Sequence, residues 1–255
     1  FLHDVRPRRF QAQGQSSQNA QQSAPAKQNV VEKIKKEGKL VVGTSADYPP
    51  FESLDKENKI VGFDIDLAGE IAKKLGAKLE VLNIQFDGLI PALNGNKFDI
   101  MVAGVTITEE RKKNVDFSTP YMSGGNAIVV QKDTKDTIKE LKDLKGKTIA
   151  VQLGSAQDAI AQKVPDAVVK RYPLYTDAAM AVSNKQVYAM ILHKVVANAF
   201  TAQDPNLKIA AEVEPIDTGL VFRKDSPELR EAANQVLEEM KKDGRMDALV
   251  KKWFK

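Results

Sequence analysis

The stretch GFDIDLAGEIAKKLGAKLEVL, residues 62–82, decides the fold. From 62 to 76 its apolar residues recur at the spacing of one helix face, and Gly76 is placed to end that helix. Asp64 and Asp66 stand near the amino end, where the helix dipole favours acidic side chains. Residues 78–82 change to the pattern of a strand. A helix followed at once by a strand indicates a βαβ unit with parallel strands.

The same alternation continues outward from this unit. Residues 39–44 (KLVVGT) predict a strand, 87–96 a short helix, and 98–104 (FDIMVAG) a strand buried on both faces. After a break the pattern restarts. The second series consists of strands at 147–155, 168–173 and 187–192 and helices at 156–164, 177–184 and 195–202. Two such series predict two α/β lobes.

The end of the chain predicts how the lobes are joined. Residues 219–224 indicate a strand, and 226–254 indicate two helices divided at Gly244. Their apolar stripe has no third sheet to cover, so we expect them to return to the first lobe. The lobes are then discontinuous, with 30–121 and 220–255 in lobe 1, 122–219 in lobe 2, and two hinge strands near 121–131 and 216–222. Such a fold has a cleft that closes around a small ligand.

Composition excludes several kinds of site. The 255 residues contain no cysteine and two histidines, so disulfides, thiolate chemistry and a multi-histidine metal site are excluded. Of the net charge of +4, a sum of +3 lies in residues 1–29, which leaves no basic patch for nucleic acid. Residues 11–29 are rich in Gln, Ser and Ala, and we expect a disordered tail or linker at 1–29, with His3 inside it. No apolar run has the length of a membrane span.

The segment GVTITEERKKNVDFSTPY, residues 104–121, carries the strongest candidate for binding chemistry. A carboxylate needs a two-pronged, permanently charged donor together with hydroxyl and backbone N–H donors. Arg111 at a helix start, Thr106 and the N–H groups beside Gly104 meet that need. The alternative is a helix-capping motif that carries a surface arginine.

Two further loops follow predicted strands of lobe 1, at the sheet edge where open α/β sheets bind ligands. GTSADYPPFE, residues 43–52, places Ser45, Asp47 and Tyr48 there, and we assign Phe51 to the core. Phe86 follows the strand at 78–82. Tyr48 and Phe86 could clamp an aliphatic ligand stem between their rings.

Lobe 2 contributes candidates of lower specificity. LGSAQD, residues 153–158, is a strand end, a Gly-Ser turn and a helix start, so Ser155 and the N–H groups of Ala156 and Gln157 form a candidate anion site. Gly-Ser turns also open many helices that bind nothing. His193 ends the strand at 187–192 and faces the expected cleft. The alternative is a histidine that serves packing only.

Together these segments resemble the polar amino-acid class of extracytoplasmic solute-binding proteins, family 3, which deliver ligands to ABC transporters. The resemblance rests on GTSADYPPFE, GFDIDLAGEIAKKLG, FDGLIPAL, TITEERKKNVDFSTPY, VQLGS and GLVFRKD…DGRMDALVKKWF, in one order over about residues 30–255. It implies the two-lobed, type II periplasmic-binding-protein fold. It also implies that Arg111, Thr106 and Gly104 hold the ligand's carboxylate, that Tyr48 and Phe86 flank its side chain, and that residues 155–157 contribute from lobe 2.

One segment departs from the family's pattern. The family usually has VDAVIxDxP where this chain has VYAMILHKV, so His193 stands where an aspartate would hold the ligand's ammonium group. Burying an ammonium group without a partner in a closed cleft carries a free-energy penalty on the order of several kcal/mol, as for any unpaired buried charge. Ser45 also stands where binders of basic amino acids often have aspartate.

The function expected from the resemblance is capture of a small carboxylate-bearing ligand, an amino acid first of all, for ABC-type import. The chain is expected to be a monomer outside the cytoplasm, to use an ABC permease as partner, and to meet the membrane through a native lipid anchor. No cofactor, metal, catalytic residue or nucleic acid is expected. Two alternatives stay open: an enzyme resembling cyclohexadienyl dehydratases on the same fold, and a diverged or engineered binding protein with altered specificity.

Overall fold

The computed structural model describes residues 29–255. The predicted tail, apart from Asn29, and His3 lie outside these residues. The described chain begins with helix α1, Val30–Glu37, which the sequence patterns did not predict. The Asn29 side chain caps this helix by accepting a hydrogen bond from the Val31 N–H at 2.9 Å.

After α1, the first half of the described chain forms β1 (Lys39–Thr44), β2 (Asp47–Tyr48), β3 (Glu52–Leu54), β4 (Ile60–Val61), α2 (Phe63–Lys74), β5 (Lys78–Asn83), α3 (Phe86–Asn94), β6 (Ile100–Met101), α4 (Glu109–Lys112) and β7 (Asp116–Phe117). The elements that follow are β8 (Met122–Gln131), β9 (Thr148–Gln152), α5 (Ala156–Gln162), β10 (Val168–Tyr172), α6 (Tyr175–Ser183), β11 (Ala189–His193), α7 (Lys194–Gln203), β12 (Leu207–Thr218), β13 (Val221–Phe222), α8 (Pro227–Asp243) and α9 (Arg245–Trp253).

Two five-stranded sheets organise these elements. The first has the strand order β5-β1-β6-β13-β7, and β1 pairs in parallel with β5 and β6. The second has the order β10-β9-β11-β8-β12, and β9 pairs in parallel with β10 and β11. The mixed α/β architecture is therefore confirmed. We call the parts of the chain built on the first and second sheets lobe 1 and lobe 2.

The chain passes between the sheets twice, after β7 and after β12. The long strands β8 and β12 pair antiparallel over most of their length and both belong to lobe 2. Helices α8 and α9 pack against α2 of lobe 1, and Lys74 pairs with Glu239 at 2.9 Å. This arrangement supports the division into residues 30–121 with 220–255 and 122–219, which stays a proposal.

Besides helix α1, three features differ from the sequence-based expectations. The strand predicted over 98–104 is paired only at Ile100–Met101, because the chain then turns at Gly104 with φ of 54°. The predicted strand 219–224 is paired only at Val221–Phe222. The patterns also missed a small three-stranded sheet of β2, β3 and β4, whose strands have two or three residues and therefore show no period.

Candidate ligand-binding cleft

A cavity lies between the two lobes. Its volume is about 10 Å³, so the two walls lie nearly in contact and a ligand would have to part them. Lobe 1 contributes one wall and lobe 2 the other. The lining residues are Tyr48, Phe86, Ala103, Gly104, Thr106 and Arg111 from lobe 1, and Gln152, Ser155, Gln157 and Tyr175 from lobe 2. A ligand in this position would contact both lobes at once.

Arg111 is fixed in the cavity by backbone carbonyls. Arg111 lies in α4, and the Thr108 side chain caps this helix by accepting a hydrogen bond from the Arg111 N–H at 3.2 Å. The guanidinium donates from Nη1 to the Thr106 carbonyl at 2.7 Å and from Nη2 to the Gly154 carbonyl at 3.2 Å. Its Cζ lies 5.5 Å from the centre of the Phe86 ring. The capping motif and the inward-facing guanidinium therefore occur together, although sequence reasoning treated them as alternatives.

The charge of Arg111 is not balanced by a carboxylate. Among residues 29–255, no acid forms an ion pair with its guanidinium, and no acidic side chain lines the cavity. Burial lowers the pKa of Arg111 to about 10, so it remains charged at neutral pH. A guanidinium has five N–H donors, and the two carbonyl bonds leave three of them for another acceptor. The cavity is therefore suited to an organic anion.

Aromatic rings form the side of the cavity next to this cation. Tyr48 stacks on Tyr175 of the opposite lobe, with ring centres 5.2 Å apart. On its other face Tyr48 stacks on Phe51, which is fully buried, so the assignment of Phe51 to the core is confirmed. The Tyr175 hydroxyl donates to the Ile191 carbonyl at 3.0 Å, which fixes that ring. Phe86 lies beside Arg111, so the predicted pair of Tyr48 and Phe86 does line one cavity.

Gly104 lines the cavity in a way that the sequence did not predict. The N–H groups beside Gly104 were expected to serve an anion, and the N–H of Gly104 itself donates to the buried Asp64 carboxylate at 2.8 Å. Tyr121 donates to the same carboxylate at 2.8 and 2.9 Å. Burial raises the pKa of Asp64 to about 7 in spite of these bonds. A side chain at Gly104 would meet the rings of Tyr48 and Phe51 at 2.9 Å, so glycine is what lets the backbone approach the cavity.

Lobe 2 contributes polar side chains from the amino end of helix α5. The Ser155 hydroxyl caps α5 by accepting from the Asp158 N–H at 3.2 Å. Gln157 donates from Nε2 to Asn126 Oδ1 at 2.8 Å, which orients its amide. Gln152 and Tyr175 were missed by sequence reasoning. Gln152 ends β9 two residues before Gly154 of the Gly-Ser turn, a position that could have suggested it, whereas nothing near Tyr175 gave a signal.

Three predicted site residues, Ser45, Asp47 and His193, do not line the cavity. Asp47 is buried and bonded to Ser45, Gln152 and Tyr175. His193 is 1% exposed and its ring edge packs on Phe51, with centres 5.2 Å apart. Its Nδ1 accepts from the Val195 N–H at 3.2 Å and thereby caps α7. Burial lowers the pKa of His193 to about 4, so the ring is neutral at neutral pH.

Glu52 is a further buried acid near the cleft that sequence reasoning missed. It pairs across the small sheet with Tyr48, is 1% exposed, and neither carboxylate oxygen has a hydrogen-bond partner among the described residues. Burial, together with the nearby acids Asp64 and Asp47, raises its pKa well above the usual range. The carboxyl group is therefore expected to be protonated.

Comparison with known proteins identifies the family. Residues 40–255 match the family described as bacterial extracellular solute-binding proteins, family 3. The chain belongs to this family. The predicted resemblance is thus confirmed, and the expected departure from the family pattern around His193 stays a prediction.

Similar proteins are named for amino-acid binding. The arginine-binding extracellular protein ArtP of Bacillus subtilis is 40% identical over 223 residues, which cover 85% of this chain and 86% of ArtP. The L-cystine-binding protein TcyJ of Escherichia coli K12 is 32% identical over 232 residues, covering 90% of this chain and 87% of TcyJ.

Solved structures of family 3 relatives share the fold. A mutant of the arginine-binding protein ArgBP from T. maritima superposes with a TM-score of 0.85 at 44% identity, covering 88% of this chain and 98% of that one. An ancestral amino acid-binding protein, described as a precursor of cyclohexadienyl dehydratase, gives 0.84 at 43% identity, covering 89% and 100%. The expected type II periplasmic-binding-protein fold is therefore confirmed.

Proposed function

We propose that this family 3 protein captures an amino acid, or a closely related small organic acid, by closing its two lobes around it. The observation that carries the proposal is Arg111, a cation held by two backbone carbonyls inside a cavity whose lining contains no acid. The ligand's carboxylate would supply the missing negative charge. Similar proteins are named for binding arginine and cystine, which supports an amino acid as the ligand.

The same comparisons support delivery to an ABC transporter. A protein of Escherichia coli K12 that is 37% identical is named ABC transporter arginine-binding protein 1. We propose that the closed, ligand-bound chain docks as a monomer on a permease of this type outside the cytoplasm. No helix within residues 29–255 has the length and apolar character needed to cross a bilayer. A native lipid anchor remains part of this proposal.

Catalysis is the second candidate, because one similar structure is described as a precursor of cyclohexadienyl dehydratase. A dehydratase needs a general acid within reach of its substrate. The cavity lining offers no carboxyl group, and His193 lies outside that lining. These observations favour binding. Incubation with prephenate and with arogenate, read by ultraviolet absorption of an aromatic product, tests the alternative, and formation of that product would contradict a binding-only function.

Thermal unfolding with a ligand panel tests the proposed function. The panel contains the proteinogenic amino acids and the 2-oxo and 2-hydroxy acids that correspond to them. A ligand present at about 100 times its dissociation constant stabilises the folded state by about 2.7 kcal/mol, which raises the midpoint measurably. At least one carboxylate is expected to do so with the wild type and to fail with Arg111→Ala. The matched control is Arg245→Ala, which removes an arginine paired with Glu70 and Asp243 away from the cavity. A panel without any shift contradicts the proposal.

A further inference from the structure

Asp47 connects the two lobes directly. It lies in β2 of lobe 1 and is 5% exposed. Its Oδ2 accepts a hydrogen bond from Gln152 Nε2 at 2.9 Å and another from the Tyr175 N–H at 2.7 Å, and both donors belong to lobe 2. We infer that Asp47 is a latch, a side chain of lobe 1 that holds lobe 2 closed without lining the ligand cavity. This inference rests on the proposed binding function.

The contact with Tyr175 has the form of a helix cap supplied from the other lobe. Helix α6 begins at Tyr175, and the residue at its N-cap position is Leu174, whose side chain cannot accept a hydrogen bond. The Asp47 carboxylate accepts the first N–H of this helix instead. A carboxylate at a helix amino end also interacts favourably with the helix dipole. Opening the lobes would therefore remove the cap from α6.

The rest of the Asp47 environment holds its carboxylate in position. The Ser45 hydroxyl donates to Oδ1 at 2.9 Å from the same loop. Gln152 is fixed in turn, because its Nε2 also donates to the Pro173 carbonyl at 3.1 Å. Hydrogen bonds to an ionised, buried acceptor are stronger than those between neutral groups. Burial raises the pKa of Asp47, which shows that desolvation offsets part of this gain.

Both partners of the latch also line the ligand cavity. Gln152 and Tyr175 belong to the cavity wall, and Tyr175 stacks on Tyr48, the neighbour of Asp47 in the chain. A ligand that contacts Gln152 and Tyr175 would therefore also fix the positions of the two residues that donate hydrogen bonds to Asp47. The latch makes Asp47 a positioning residue, which acts on the ligand through Gln152 and Tyr175.

The thermodynamic consequence is a change in the open–closed equilibrium. If the closed form binds the ligand, the apparent dissociation constant varies inversely with the closed fraction. Weakening the latch should therefore lower affinity, and it should do so mainly by faster dissociation, because a ligand leaves through the open form. An ordinary contact residue would lower affinity without changing the ligand-free equilibrium.

Single-molecule energy transfer on the ligand-free protein tests the inference. The chain has no cysteine, so the pair Lys97→Cys in lobe 1 and Lys170→Cys in lobe 2, both at exposed positions, gives specific labelling. The wild type is expected to populate a closed form without ligand. Asp47→Ala should reduce the closed-to-open ratio about tenfold or more, the effect expected when hydrogen bonds to a charged group are lost. Asp47→Asn retains an acceptor oxygen and should restore much of that ratio.

Asp55→Ala is the matched control. Its carboxylate also accepts two N–H groups, from Glu57 and Lys59 at 2.9 and 2.8 Å, but both lie in its own loop. This variant should keep the wild-type ratio. The latch is overturned if the wild type shows no closed population, or if Asp47→Asn and Asp47→Ala both match the wild type. Should Asp47→Ala fail to fold, Gln152→Ala decides, because it removes one of the two lobe 2 donors to Asp47: a ratio below that of the wild type supports the latch and an unchanged ratio overturns it.

The same variants separate this inference from the proposed function. The equilibrium is measured without ligand, so failure of every carboxylate to bind would contradict the proposed function and leave the latch standing. If a ligand is found, Asp47→Ala should raise its dissociation rate constant by about the factor lost from the closed-to-open ratio. A slower association rate with unchanged dissociation would overturn the assignment.

Discussion

Arg111 of lobe 1 donates a hydrogen bond to the backbone carbonyl of Gly154 in lobe 2 over 3.2 Å. The carbonyl of Thr106 accepts a second bond from the same guanidinium at 2.7 Å. These two bonds fix the plane of the group, and the fixed plane directs its remaining donors. In the proposed function, lobe closure and ligand recognition converge on this one side chain.

Replacing Arg111 should separate its charge from its geometry. Arg111→Ala removes both, and we expect affinity for the ligand to fall by about 100-fold or more, as for loss of one partner of a buried charge pair. Arg111→Lys keeps the charge but loses the fork, so affinity should fall about tenfold or more while some binding remains. Isothermal titration measures both. Equal affinity of Arg111→Lys and wild type would show that the two-pronged geometry is not used.

A methyl group at Gly104 should disturb the cavity wall. Gly104 has φ of 54°, and an added Cβ would lie 2.9 Å from the rings of both Tyr48 and Phe51. Strain and overpacking of this kind cost about 1–3 kcal/mol each, so Gly104→Ala should lower the free energy of unfolding by at least that amount and weaken ligand binding. Denaturant unfolding and titration measure the two effects.

Gly69→Ala is the matched control for Gly104→Ala. Gly69 lies inside α2, and an added Cβ would meet no atom within 4 Å. Alanine in a helix interior is better than glycine by about 0.5–1 kcal/mol, so this variant should be slightly more stable than the wild type and bind normally. Destabilisation by both substitutions would contradict the steric explanation.

Asp64 should make the protein less stable as the pH rises from about 4 to 7. Burial raises its pKa from 3.8 to about 7 in the folded state, so between these values the folded chain holds a proton that the unfolded chain has released. The stabilisation is complete below the unfolded pKa and is lost as the pH rises through the folded one. The full difference is on the order of 4 kcal/mol. Asp64→Asn should remove this slope in denaturant unfolding series, and an unchanged slope would contradict the raised pKa.

His193 should act in the opposite direction over the same range. Burial lowers its pKa from 6.5 to about 4, so the unfolded chain takes up a proton at a pH where the folded chain does not. Stability that is present above pH 6.5 is lost as the pH falls toward 4, by up to about 3 kcal/mol. In His193→Asn the amide oxygen can still cap α7, and this variant should lose less stability on acidification. A parallel pH dependence of variant and wild type would show that His193 is accessible to protons.

Much of the fold could be predicted from the sequence because its elements have clear periods. The helix predicted at 62–76 is found at Phe63–Lys74, and the strand predicted at 39–44 is found at Lys39–Thr44. The strand predicted over residues 98–104 is too long, because apolar composition shows burial but not pairing, and this segment leaves its sheet after Met101. Strands of two residues, such as Asp47–Tyr48, are too short to show a period.

The residues of the candidate site were predicted best where they lie close together in the sequence. Arg111 and Thr106 lie close together in the sequence after one strand, so local sequence could place both at the cavity wall, and their role in holding a carboxylate stays a prediction. Tyr175 could not be recognised, because it reaches the cavity only when lobe 2 closes on lobe 1. Asp47 was predicted to bind the ligand, but it does not line the cavity, and its partners in lobe 2 are 105 and 128 positions away in the sequence. Contacts between lobes are absent from local sequence patterns.

The most direct test of the account compares one acid with its own amide. A carboxylate selected by the thermal panel is titrated calorimetrically into the wild type, followed by the same compound with its carboxylate converted to a carboxamide. If Arg111 grips the carboxylate, the acid binds with one-to-one stoichiometry and the amide binds about 100-fold more weakly or not at all. Equal affinity for the acid and the amide would contradict the central role of the Arg111 guanidinium.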